Sequence, residues 1–498
     1  AVGLNAGGSI TDGDEHVAVG YAALADCSTG NKNTAIGAFA GNKTTGSSNT
    51  YIGNNTGYYG TTADDNVAVG RNALLGSSGN TTGNCNVAVG SYSLDAATTA
   101  HSNVALGYQA LTAATDGNSN VAIGYQAGQS ITSAGGAVAI GYAALATEDA
   151  SGTSVAVGYT ALQDQNVNSN ANVAVGYKAG TNLTTGTNSV FLGYQSGGIA
   201  VVTGSYNIGL GADSAKNLTS GQYNIAIGGS ALSVAATNSD NTAIGHNALA
   251  NVTAEDNVAI GSRAMKYSTS TSDCVAVGRN ALGGDGTTAP TGDYNIGIGA
   301  YSLDASTTGH SNIAIGHSSG TSITTGNSTI AIGYQSLLNN QTGENNVAVG
   351  HWALKEATGG YNTAVGSNAA DALTDGERIT AIGRDALGVA VSQDDCTAVG
   401  YAALDAATSG NENTAVGSYA LSATVDGTRN TALGYAASNA DCVDDNTALG
   451  WSALNNCTDS DNVAIGSGAM RYSTSASDNI AVGVNALSGD GSTAPTGD

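Results

Sequence analysis

Residues 120–128 read NVAIGYQAG, and close variants stand at 103–111 (NVALGYQAL), 172–180 (NVAVGYKAG) and 346–354 (NVAVGHWAL). Aligning the chain on the glycine that closes the apolar phrase gives 29 copies, from Gly3, Gly20, Gly37 and Gly53 to Gly450, Gly466 and Gly483. Most successive glycines stand seventeen positions apart, nearly all the others sixteen or eighteen, and the array leaves no part of the chain outside it. A fixed period over this length is the mark of a solenoid, whose units are stable only when stacked on one another.

The residue before the glycine is always Ile, Val or Leu, the residue two earlier is mostly Val, Thr or Ile, and Ala stands between them in most copies. That is period two, hence a strand. A second short segment closes four residues after the glycine, and the rest of each unit is turn chemistry such as Thr-Thr-Gly and Asp-Gly. The period is too short for helical repeats, and β-branched residues with abundant glycine disfavour helix. The expected fold is all-β: a parallel β-solenoid, or β-roll, of about 29 coils of ~17 residues, each with two short strands and two turns. At the usual strand spacing such a stack would be a shaft on the order of 140 Å long.

Composition agrees with a repetitive structural chain. Among 498 residues there are 72 Gly, 2 Pro and only 10% charged side chains. Disordered polar tracts share that composition but do not hold an aliphatic residue at one phase. The net charge of −25, with no basic run, makes nucleic acid an improbable partner. No apolar run reaches the roughly 18 residues of a membrane span. The chain starts inside a repeat, so it reads as a fragment of a longer protein.

A longer period overlies the first. GSRAMKYSTSTSDCVAVGRNALGGDGTTAPTGD from Gly261 returns from Gly466 as GSGAMRYSTSASDNIAVGVNALSGDGSTAPTGD, 205 residues and 12 coils later. An earlier copy shows in VAVGRNAL at Val67, which precedes the 20-residue interval Gly70–Gly90, as the same phrase at Val275 precedes the 21-residue interval Gly278–Gly299. The array is thus one solenoid over 1–498 with super-repeats at approximately 67–274, 275–479 and 480–498. The long loops after Leu74, Leu282 and Leu487, which contain Pro290 and Pro495, are either spacers or the places where binding sits.

Stacking turns each fixed position into a ladder. Asn103, Asn120 and their equivalents would stack through their amides. With Val121 and Ile123 filling the coil's interior, Ala122 would point outward, and a small apolar residue there implies a close neighbour, most simply a second and third copy of the chain. Gly124 would let the chain turn. Tyr108, Tyr125, Tyr142, Tyr159, Tyr177 and Tyr194 would form an offset-stacked file or, in a sharper reading, a sugar-binding stripe.

In two triplets of adjacent coils one super-repeat apart, Asp240, Asp256 and Asp273 and then Asp445, Asp461 and Asp478 precede the Asn position. They would cap turns or, as stacked carboxylates, take weak Ca²⁺. Thr363, Thr380, Thr397, Thr414, Thr431 and Thr447 replace the first strand residue, which reads as a half-buried hydroxyl file rather than an ice-binding row. Cys442 and Cys457 lie at nearly the same phase of adjacent coils, where either a disulfide or two thiols would fit. His101 and His310 fall in surface turns. No HExxH or phosphate loop occurs, so an enzyme is not expected and no cofactor is required.

NVAIGYQAG and NTAIGHNAL resemble the head repeats of trimeric autotransporter adhesins, and the 17-residue form NTAVGSYALSATVDGTRNTALG from Asn413 is similar to repeats in tail-fibre-like proteins with a self-cleaving chaperone. The resemblance implies a left-handed, trimeric, extracellular β-roll that holds or binds a surface, at a cell or virion. The membrane anchor, coiled-coil stalk and chaperone of those families have no counterpart in this sequence. The expected function is therefore a homotrimeric fibre shaft or head acting in adhesion, with a host or environmental surface, glycan or receptor as partner and end-to-end association as a further option. The alternative is a monomeric solenoid binding glycan, calcium or ice.

Overall fold

The structure is a computed structural model and describes all residues except 78–80, 149–152, 166–170, 285, 287–289, 457, 475–476 and 490–498. It is a parallel β-solenoid that makes one coil per period of the sequence and has, among the described residues, no helix. The chain forms two compact units, Ala1–Ala250 and Asn251–Asp498. The first holds β1 (Val17–Val19) to β14 (Thr242–Ile244) in chain order, including β7 (Val121–Ile123), and Val2 bridges to Val19 ahead of them. The second holds β15 (Val258–Ile260) to β28 (Ile480–Val482).

Within each unit every strand is three residues long and pairs in parallel with the next at its own phase. Val121, Ala122 and Ile123 face Val138, Ala139 and Ile140. The long intervals do not disturb this register. Val67 pairs with Val87 across the 20-residue interval, and Val275 with Ile296 across the 21-residue one.

The strand is inside out relative to the expectation. Ala122 is 0% exposed and Ile123 is 39% exposed, and the same pattern, buried in the middle and open at both ends, runs through all the strands. Val121 and Ile123 therefore do not fill the interior. A coil this short closes on a narrow space, which the strand alanine fills together with Ala127, Ile131 and Ala134 of the same turn and Leu111 of the turn before it. β-branched residues at both flanking positions would not fit there at native packing density. Small Ala122 is accordingly no sign of a neighbouring chain.

Among the described residues, no coil has a second named strand. After Gly124 the backbone takes left-handed conformations at Gln126 (φ +55) and Gly128 (φ +56), which no strand sustains. A left-handed non-glycine residue costs roughly 1–2 kcal/mol. Hydrogen bonds between coils offset it: Gln126 donates its N–H to the Tyr108 carbonyl at 2.9 Å, and Leu111 donates to the Ala127 carbonyl at 3.1 Å. Gly124 itself sits at φ +137, and a Cβ there would run into the carbonyl of Gly141. Glycine is required at that phase by both conformation and contact.

Two bulky substitutions show how tightly the interior is filled. Tyr51 and Phe191 occupy strand-centre positions that are alanine in most coils, and both are fully buried. Glycines surround them: a Cβ at Gly57 would strike the Tyr51 ring, and one at Gly197 would strike the Phe191 ring. Volume is conserved across coils, as expected of a close-packed core.

Candidate functional site

The asparagine file is buried, and it is interrupted where Ala137 and Ile379 stand at its phase. Asn120 N–H donates to Asn103 Oδ1 at 2.9 Å, and Asn120 Oδ1 accepts the N–H of Ala137 at 2.9 Å. The side-chain nitrogen serves a different partner: Asn120 Nδ2 donates to the turn carbonyl of Ala134 at 2.7 Å. Each amide thus ties a strand start to the turn of the next coil. Two substitutes keep the acceptor: Asn207 N–H donates to Ser189 Oγ at 3.1 Å and Asn413 N–H to Cys396 Sγ at 3.4 Å. Burial pushes the Cys396 thiol up to about 11, so it stays a neutral thiol in this role.

On the outer surface, Tyr108, Tyr125, Tyr142, Tyr159, Tyr177 and Tyr194 stack with ring centroids 5.0–5.3 Å apart and planes within 17°. The ring faces cover one another, so the file offers edges and hydroxyls to solvent. A sugar ring needs an open aromatic face, and only the ends of the file have one.

The outer face of the sheet is apolar. Val19, Ile36, Ile52 and Ile123 in the first unit, and Ile260, Ile298, Ile382 and Leu449 in the second, are each more than a third exposed. The threonines belong to this face as well. In β21 (Thr363–Val365) through β26 (Thr447–Leu449), Thr363, Thr380, Thr397, Thr414, Thr431 and Thr447 pair in register, half-buried or exposed on the outside rather than inside the coil.

Asp240, Asp256, Asp273, Asp445, Asp461 and Asp478 all take left-handed φ between +56 and +63 and are exposed. The Asp445 carboxylate is engaged by Arg429 at 2.7 Å, which holds it below the usual carboxylate range. Among the described residues no three His, Cys, Asp or Glu side chains gather into a group that could hold a metal ion. Cys442 is buried, and the proposed bridge to Cys457 falls outside the described residues. His101 and His310 are exposed in turns, each with its N–H on a side-chain oxygen, Asn118 Oδ1 at 2.8 Å and Asn327 Oδ1 at 2.9 Å.

Surface recesses flank two of the long intervals, and sequence reasoning missed them. In the first unit Phe39, Asn55, Tyr58, Tyr59 and Leu75 line a recess of about 350 Å³. In the second unit Arg263, Lys266, Tyr267, Asn280, Gly283 and Asp304 line one of about 260 Å³. Asn55, Tyr58, Tyr59 and Leu75 correspond to Arg263, Lys266, Tyr267 and Gly283, each pair 208 residues apart. The backbone anchors match too: Tyr59 N–H donates to the Leu75 carbonyl at 3.0 Å, and Tyr267 N–H to the Gly283 carbonyl at 3.1 Å. The signal in the sequence was the super-repeat itself, which marks these coils but does not show that they are concave.

No helix in the described part of the chain is long and apolar enough to cross a membrane. The chain matches no protein-family model, and no curated protein matches it.

Proposed function

We propose that this chain is a structural segment of an extracellular fibre, on a cell surface or a virion, whose copies associate as a homotrimer and whose purpose is adhesion. The outward Val and Ile columns carry this reading. A parallel sheet is ordinarily covered on both faces, and contiguous exposed apolar surface marks an interaction site. A second and third copy would cover these columns with their own, as closed rotational symmetry permits. The resemblance of NVAIGYQAG to adhesin head repeats and of the 17-residue form to tail-fibre repeats supports the same reading. The role is structural and not catalytic, and it calls on no cofactor. Native mass spectrometry of the full chain tests it: a species of three 48.5 kDa chains is expected, and a stable 48.5 kDa monomer at micromolar concentration overturns it.

A second reading, a monomeric ice-binding solenoid, is favoured by the six outward threonines in register beside Val365, Ile382, Val399, Val416, Leu433 and Leu449. Thermal hysteresis with the monomeric chain, lost in Thr397→Lys, would favour it over the fibre.

A further inference from the structure

The recess of the second unit is a gap left by glycine. The coil that starts at Gly278 carries Gly283 and Gly284 at the phase where the coil before it carries Lys266 and Tyr267 and the coil after it carries Asp304. A Cβ at Gly283 would stand 2.9 Å from Asp304 Oδ1, and one at Gly284 would stand 3.2 Å from the Tyr267 Cβ. Arg263 and Lys266 share one turn, in which the Lys266 N–H donates to the Arg263 carbonyl at 3.3 Å. Lys266 Nζ donates to the Tyr267 hydroxyl at 2.8 Å and, as an ammonium, keeps further donors. Asn280 completes the lining, and its Oδ1 is buried with no hydrogen-bond partner.

Cations are scarce in this chain, 13 Lys and Arg against 38 Asp and Glu, and most of them are engaged. Arg378 and Arg429 each hold an aspartate at 2.7 Å, and Arg71, Arg279 and Arg384 each lie against a tyrosine ring. Arg263 is exposed and, among the described residues, meets neither a carboxylate nor a ring. The equivalent recess of the first unit has Asn55 and Tyr58 in place of Arg263 and Lys266, and its neighbour Lys43 lies 5.0 Å from the Tyr59 ring. In the third copy Gly468 replaces Arg263. The pair of cations therefore belongs to the second recess.

We propose that this second recess binds one uronate, an acidic sugar held by its carboxylate. Arg263 and Lys266 stand against Asp304 alone, which leaves a single positive charge in excess, the complement of a single carboxylate. Arg263 presents the planar fork that pairs with a carboxylate through two parallel hydrogen bonds. Asp304 and Asn280 Oδ1 are acceptors, so the remainder of the ligand supplies donors, as sugar hydroxyls do. A neutral sugar would leave Arg263 unanswered. Sulfate or phosphate dianions bring no donor for Asn280 and repel Asp304, and an acidic amino acid brings an ammonium that Arg263 and Lys266 repel. A volume of about 260 Å³ stands at the small end of ligand sites, which suits one ring. The net charge of −25 opposes polyanions at long range, but physiological salt screens that field beyond about 8 Å while Arg263 acts at contact. The occupant is thus a free uronate or the uronate that ends a neutral chain. The site lies within one chain and does not depend on the association of copies, so its failure and that of the fibre reading are separate results.

Saturation-transfer NMR on the full chain tests this with sodium glucuronate and sodium galacturonate, beside glucose and sodium glutamate. The expected result is transfer to the ring protons of at least one uronate and none to glucose. Arg263→Gln should weaken that binding by about tenfold or more, and Arg263→Lys by less. Lys32→Gln, which removes an exposed cation from the first unit, should leave it unchanged. Because Arg263 makes no ion pair within the fold, Arg263→Gln should also leave the melting temperature in place, which separates lost binding from lost structure. A neutral disaccharide capped with glucuronate distinguishes the two sources: tighter binding than the free sugar assigns the end of a chain, and weaker binding assigns the free sugar. Transfer to neither uronate, equal transfer to glucose, transfer to glutamate alone, or binding unchanged in Arg263→Gln overturns the proposal.

Discussion

Asn103 Oδ1 accepts the backbone N–H of Asn120 from the following coil at 2.9 Å, and both residues are fully buried. Removing the acceptor leaves a buried N–H unpaired, which costs about 1–3 kcal/mol. Asn103→Ala should therefore lower the unfolding free energy by that amount, measured by denaturant titration. Asn103→Ser should cost less, because Ser189 fills the same role for Asn207 at 3.1 Å.

Phe191 is the second test of the interior. Phe191→Ala restores the residue found at this phase in most coils but leaves Gly180, Gly197 and Gly209 around an unfilled space. The expected loss is about 3–5 kcal/mol by thermal or chemical unfolding. Phe191→Ala combined with Gly197→Ala should recover only part of it. Gly197 sits at φ +57, where alanine is strained.

The inverted strand makes opposite predictions for neighbouring residues. Ala122→Lys places a charge in the dry interior and should unfold the surrounding coils, seen as lost far-ultraviolet dichroism and rapid proteolysis. Ile123→Lys lies on the open face. It should leave the monomer folded, with unfolding free energy within about 0.5 kcal/mol, and should dissociate any assembly in sedimentation analysis.

Asp95 gives a pH dependence. Burial pushes its carboxyl up to about 6, whereas in the unfolded chain it titrates near about 4. Between those values the folded protein holds a proton that the unfolded chain has released. This contribution is therefore complete below about pH 4 and is lost as pH rises through about 6. With partial solvent screening it is on the order of 1 kcal/mol. Asp95→Asn should flatten stability across that window, as read from melting temperature against pH.

Much of this architecture could be read from the letters because a solenoid repeats its physics. The phase of Val121, Ala122 and Ile123 fixed a three-residue strand and its parallel register, and the run from Tyr108 to Tyr194 foretold a stacked file. Which strand face points inward was not legible. Alternation defines two faces but not the width of the space behind one, and that width depends on how tightly the coil closes. The second segment was misread as a strand for a related reason: Gln126 and Leu111 carry no letter that reveals a left-handed backbone. The recesses were invisible because concavity at Tyr58 and Tyr267 arises between coils that are far apart in composition yet adjacent in space.

The pairing of Val67 with Val87, and of Val275 with Ile296, has a consequence for how such chains change over time. The strand ladder keeps its register across both long intervals. The cost of lengthening a loop rises only slowly with its length. Lengthening the chain between Leu74 and Asn86 or between Leu282 and Asn295 is thus nearly decoupled from the stability of the coils on either side. An insertion at either interval would therefore leave the stacked coils on both sides as they are.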